Sequence, residues 1–314
     1  DENVFIYDAG KSKVIQVNKY GRLKREYGRS GRGPGEFLRI NNIYLTSEAI
    51  YVIDSAQFLI HKYKKDGQFI SSFDYGLPSS KLGAPPPPFS PSILRAEDIN
   101  NQPNITVKGN VFIPCDISND CNKSLYKLTK WDKEHISNIG KIREGSSFNI
   151  DYDVLRTEIS NREVPSIYKS NVFVVNDRAN PDEYFLVYSS IPLISKYNSK
   201  GEFIWESHIN GISELDLIEN NFFEAMVRMQ QQNPRSRIGL TFYKAGISNY
   251  DSELFLITGS EPLFIHRFDN TGKLIKRYRF ISDQGELNPI FDIDFKNNII
   301  YIVTHDAEIK KYYF

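Results

Sequence analysis

Cysteine, methionine and tryptophan are scarce in this chain of 314 residues, two of each, and histidine occurs only five times. Two cysteines, Cys115 and Cys121, are too few for a disulfide scaffold, and no His or further Cys stands near enough to complete a zinc site. Neither sign of charge is in excess: Lys+Arg and Asp+Glu number 39 each, for a formal net charge of zero. That removes the bulk field of a nucleic-acid or anionic-membrane binder, so no nucleic-acid partner is expected. Long hydrophobic runs are missing too, and no apolar stretch approaches the roughly 18–20 residues that span a bilayer. A G-x-S-x-G elbow and an H-E-x-x-H pair are likewise absent. No catalytic residue is assigned from the sequence, and a non-enzymatic role is the expectation.

The remaining composition is that of a globular protein, 40% apolar and 25% charged. Its organisation is repetitive. Six segments carry an aliphatic residue, a variable one, a basic one and an aromatic. They are Val17–Tyr20, Ile60–Tyr63, Leu128–Trp131, Ile194–Tyr197, Ile265–Phe268 and Ile309–Tyr312. Upstream of each lies a β-rich run, taken as the core strand: Val4–Tyr7, Ile50–Ile53, Val111–Ile113, Val172–Val175, Leu254–Ile257 and Ile299–Val303. Downstream, Asp66-Gly67, Lys200-Gly201 and Thr271-Gly272 each lead into another short strand, with Gly supplying the positive φ of a hairpin. Four antiparallel strands per unit, repeated six times, describe an all-β six-bladed β-propeller occupying 1–314 as one domain. The closest motifs fit a bare blade of about 40–50 residues, and the wider intervals must hold insertions.

Three insertions are visible. Residues 74–110 contain Pro85-Pro86-Pro87-Pro88, which no sheet interior accepts. Residues 143–168 are polar, with a helical turn expected at Val154–Ser160. Residues 213–232 read as a helix with Ser213 as N-cap and Leu215, Ile218, Phe222, Met226 and Met229 on one apolar face. Phe89, Ile93, Leu94, Phe222, Phe223 and Met229 are apolar anchors, and the insertions are expected to fold against each other or the blades as a wall beside a ligand site.

The segment Gly31-Arg32-Gly33-Pro34-Gly35-Glu36-Phe37 resembles the linker of NHL-like propellers, and the chain is similar to exported six-bladed propellers of Bacteroidetes. This resemblance implies an envelope protein, periplasmic or a cell-surface lipoprotein anchored through an amino-terminal segment removed from a chain that starts Asp1-Glu2-Asn3. Oxidation of Cys115 and Cys121 to a disulfide is expected for such a protein. The run from Gly28 to Gly35 also suggests a phosphate cradle, but Pro34 removes one amide and no helix is expected to follow, so a structural linker is the reading.

Candidate site residues lie on inner strands. Phe291-Asp292-Ile293-Asp294-Phe295 alternates strictly, and Arg39, Asn41 and Asn42 occupy the matching strand of the second unit. Carboxylates and amides around a channel could hold Ca2+, as calcium-dependent lactonases on six-bladed propellers do, or Asp292 and Asp294 pair with basic side chains or solvent. His61 and His266 share the variable slot of the repeat and are expected to be structural. The leading expectation is a binding propeller of the cell envelope with a protein or carbohydrate partner, and the alternative is a metal-dependent hydrolase.

Overall fold

The computed structural model describes residues 3–8, 10–76, 102–115, 121, 123–147, 150–259, 263–280, 287–304 and 308–314. Pro85–Pro88, Phe89, Ile93, Leu94, Asp116–Asp120 and His305 lie outside them. Six antiparallel sheets follow one another along the chain and form the blades. The first is β1 (Asn3–Asp8), β2 (Lys13–Asn18) and β3 (Leu23–Tyr27). The second is β4 (Ile40–Leu45), β5 (Ala49–Asp54), β6 (Leu59–Lys64) and β7 (Phe69–Asp74). The third contains β8 (Asn104–Ile105), β9 (Val111–Pro114), β10 (Ser124–Thr129) and β11 (His135–Lys141). The fourth is β12 (Val172–Asn176), β13 (Glu183–Tyr188), β14 (Leu193–Asn198) and β15 (Phe203–His208). The fifth is β16 (Tyr243–Ser248), β17 (Leu254–Thr258), β18 (Phe264–Phe268) and β19 (Leu274–Arg279), and the sixth is β20 (Leu287–Asp294), β21 (Ile299–Thr304) and β22 (Ile309–Tyr313). Strand order within each sheet is sequential, as expected for meandering blades. The chain divides into two compact units, one of residues 1–87, 103–113 and 129–135, the other of 88–102, 114–128 and 136–314.

Second strands make the core because both of their faces are covered. β5 and β17 are buried at every residue, which accounts for their unbroken aliphatic and aromatic composition. In the fourth sheet this place belongs to β13, which pairs with β14 through Phe185↔Lys196 and Val187↔Ile194. Val172–Val175, read from the sequence as that core strand, is instead the innermost strand. Its composition matches a core strand because Val172, Val174 and Val175 are themselves buried.

The hydrogen bonds of the last hairpin in each of the first five sheets give the repeat its true phase. Asn18, Lys64, Lys130, Asn198 and Asp269 each donate their N–H to the residue four positions on and accept from the one three positions on. In this frame Tyr63, Tyr197 and Phe268 are equivalent, but in the first sheet their counterpart is Val17 and in the third it is Thr129. The tetrapeptides Val17–Tyr20 and Leu128–Trp131 are therefore out of phase with the rest. Tyr20 stands in the turn, 75% exposed, while Trp131 reaches across to Tyr51 and Phe73. Gly201 shows why the turn demands glycine: its φ is +84°, and a Cβ there would meet the Asn138 carbonyl oxygen at 2.3 Å.

Two helices lie among the described residues of the second unit. α1 (Tyr152–Ser160) is longer than the expected turn, and Asp151 caps it by accepting from the N–H groups of Asp153 and Val154. α2 spans Ser213–Gln232, as the apolar spacing predicts, but its N-cap is Ile212, and the Ser213 hydroxyl bonds Glu214. Leu215, Phe222, Phe223 and Met226 are its buried face, with Ile218 packed beside them.

Candidate functional site

The glycine-rich linker is filled by its own acid. The Glu36 carboxylate accepts from the Gly33 N–H and the Arg29 Nε, each at 2.7 Å, and these contacts hold its pKa below the usual range. Tyr63 donates to the Gly35 carbonyl at 2.7 Å, and Phe37 is completely buried. Gly28, at φ +67°, lies so close to the Phe37 ring that a Cβ would stand 2.2 Å from it. The anion position a phosphate would take is occupied by Glu36, so the loop is a linker.

The basic residue of the repeat is also structural where the phase holds. Lys62, Lys196, Arg267 and Lys311 lie directly across the ladder from Tyr51, Phe185, Phe255 and Tyr301, and each cation sits over the opposing ring at 4.9 to 5.6 Å. Two of them add carboxylates. Lys196 reaches Asp177 at 2.8 Å and Glu183 at 2.7 Å, and Arg267 forks onto Glu253. His61 and His266 share one slot, are fully buried, and bond through Nδ1 to Ser72 and Tyr243 respectively.

The inner-strand residues fall in separate units. In the first, Arg39 Nε donates to Ser55 Oγ at 2.9 Å, and Ser55 donates on to Asn41 Oδ1 at 2.5 Å. Asn41 is the extra residue of a bulge between Ile40 and Asn42, and Asn42 bonds Tyr44. Beneath them Asp54, fully buried, accepts from the N–H groups of Leu38, Arg39, Ala56 and Gln57 and so fixes the strand's start.

In the second unit Asp294 spends its carboxylate on its own turn, accepting from Lys296 N, Asn297 N and Asn297 Nδ2. Asp292 keeps solvent access although protein crowds it, and that desolvation raises its pKa, with the Ile293 N–H and Arg178 opposing and Asp294 adding to the rise. Arg178, which the sequence gave no reason to select, also stacks on Phe295 at 5.6 Å. Among the described residues no group of three or more His, Cys, Asp or Glu is arranged to hold a metal ion.

The two helical insertions do meet. α1 and α2 pack together, and Leu155, Ile159, Tyr168, Phe222, Phe223 and Met226 join Val175, Phe185, Leu254 and Leu256 of the sheets in one apolar cluster. Arg162 ties the helices by donating to Asn220. Against α1 opens a cleft of about 670 Å³, lined by Ser147, Ile150, Asp151, Tyr152, Asp153, Arg156, Pro234 and Arg235. Arg156 pairs with Asp153 and donates to the Pro234 carbonyl at 3.5 Å, which fixes the far wall. Cys115 and Cys121 are joined by a disulfide, their Cα atoms 6.0 Å apart.

A family model described as a 6-bladed beta-propeller matches residues 1–81. No curated protein matches the chain. Among solved structures, a protein from Bacteroides fragilis described as a putative exported protein is similar over 96% of this chain and 76% of its own, at 17% identity and a TM-score of 0.52. Virginiamycin B lyase from Staphylococcus aureus is similar over 100% and 82%, at 12% identity and a TM-score of 0.47. BamB from Moraxella catarrhalis covers 100% and 70%, at 12% and 0.44. Similarity at this level is one of fold, and the chain is an all-β six-bladed β-propeller.

Proposed function

We propose that this propeller is a non-enzymatic binding module of the bacterial cell envelope, with the two-helix insertion of the second unit as its recognition face. The cleft against α1 carries this reading. Long insertions in a compact repeat fold are otherwise hard to account for, and these two share a core and border an open, polar, preformed concavity. Its lining favours a carbohydrate over a protein. Tyr152 stands at its wall beside Arg156 and Asp153, whose guanidinium and carboxylate bring hydrogen-bond donors and acceptors to the same edge. Export, to the periplasm or as a cell-surface lipoprotein, is supported by the Cys115–Cys121 bond, since oxidising compartments preserve such bonds. The linker Gly31–Phe37 supports an NHL-like affinity. A glycan array followed by calorimetry on the hits is the test: binding that survives both Tyr152→Ala and Arg156→Ala places the ligand elsewhere.

A second reading, a metal-dependent hydrolase, rests on Asp292, whose Oδ2 takes no hydrogen bond among the described residues. Its check is thermal unfolding in calcium against chelator, where an unchanged Tm removes it.

A further inference from the structure

The cleft against α1 is lined by two acids and two bases, Asp151, Asp153, Arg156 and Arg235, so its formal charges cancel. Their engagements differ. Arg156 pairs with Asp153 and donates to the Pro234 carbonyl, so these two side chains answer each other within the protein. Asp151 is only half engaged. Its Oδ1 accepts from the N–H groups of Asp153 at 2.9 Å and Val154 at 3.2 Å, while its Oδ2 takes no hydrogen bond among the described residues. Arg235 is anchored by its backbone, whose N–H donates to Asn233 Oδ1 at 3.0 Å. Its guanidinium meets no acceptor among the described residues.

The free oxygen belongs to a side chain that is already held. Capping commits Asp151 Oδ1 to two N–H groups of the first turn, so the carboxylate keeps its orientation as long as α1 keeps its cap. An acceptor fixed in advance loses little freedom when a donor arrives. The walls come from residues 151–156 and 234–235, far apart in sequence, and the packing of α1 on α2 brings them to one concavity.

A charged acceptor and a charged donor in one cleft suit a chemistry that donates and accepts alike. Sugar hydroxyls do both, one donating to Asp151 Oδ2 and another accepting from Arg235. A uronate or phosphate would gain Arg235 but would enter beside the carboxylates of Asp151 and Asp153, and an ammonium would meet the two guanidinium groups. We propose that the cleft selects an uncharged, hydroxyl-rich glycan, with Asp151 as the specificity-determining residue whose Oδ2 accepts a sugar hydroxyl. This rests on the carbohydrate reading of the cleft and adds the class of sugar and the residue that reads it.

Asp151→Asn separates the two roles of this side chain. Asparagine caps a helix as well as aspartate does, so α1 and the Tm are retained. Its amide nitrogen, in the place of Oδ2, donates and does not accept. Binding is read on an array of mannan, galactan, polygalacturonate and chitosan oligosaccharides, with calorimetry on the strongest of them. Mannan or galactan should give the strongest signal, and Asp151→Asn should weaken it about tenfold, as expected for one charge-assisted bond. Asp151→Ala removes cap and acceptor together and should lower Tm as well as affinity. Strongest binding to polygalacturonate or chitosan overturns the proposal, as does a neutral oligosaccharide held equally by Asp151→Asn. Where Tyr152→Ala or Arg156→Ala releases that same oligosaccharide, the cleft reading stands and the role of Asp151 alone falls. An array on which the parent protein binds nothing overturns both.

Discussion

Lys196 carries a charge into the interior of the second unit. Lys196 is 4% exposed and neutralises Asp177, which is completely buried and also accepts from Ser252 and two backbone N–H groups. Replacing it with Met strands that carboxylate, so Lys196→Met should lose about 3–5 kcal/mol in urea unfolding. The histidines give a pH dependence. Burial pushes the His266 imidazole down to about 4, with Glu214 pulling up and Arg277 pushing further down, and burial lowers His61 in the same direction. Between pH 6.5 and about 4 the unfolded chain therefore holds a proton on this residue that the folded chain does not. The contribution is complete above pH 6.5 and is lost as the pH falls toward 4, with an amplitude of about 3 kcal/mol for His266. His266→Gln, which keeps a donor beside Tyr243 but does not titrate, should lose less stability than the parent between pH 7 and pH 5 in urea melts.

At the scale of elements, blades follow hydrogen-bond register more closely than they follow residue pattern. Core strands other than that of the fourth sheet, and the hairpin turns, were legible because burial on both faces and a positive φ each demand a narrow set of residues. The motif's phase in the first and third sheets was not, since four residues of the right types can straddle a turn. Register is set by which N–H meets which carbonyl, and a tetrapeptide carries no record of that. α2 was legible from its apolar spacing, whereas its cap was not: a serine at the right place bonded a neighbouring glutamate instead of the backbone. Phe222 is the residue that most directly tests the insertion's packing, being buried against Tyr168 and Phe223. Phe222→Ala should cost about 3–5 kcal/mol in unfolding, less where the helix settles into the gap.

Across the whole molecule the balance of 39 cationic and 39 anionic residues and a pI near 7.1 leave little field to attract polyanions. Mobility-shift titrations should accordingly show no duplex DNA binding at physiological salt, and a salt-sensitive complex would reveal a local basic patch that the totals conceal. The repeat, the absence of catalytic motifs and the positions of the insertions were fixed by composition and period, which need only local sequence. Whether the two helices share a core and which lysine finds a carboxylate depend on groups many residues apart, whereas Glu36 fills its loop through partners three and seven residues away. Asp177 and Lys196 approach because β12 and β14 flank the same core strand, and Asp177 reaches Ser252 through the next sheet. Lys244 and Lys196 are the same residue type on neighbouring sheets, and only the contacts around each decide that Lys196 is buried against two carboxylates while Lys244 stays half-buried.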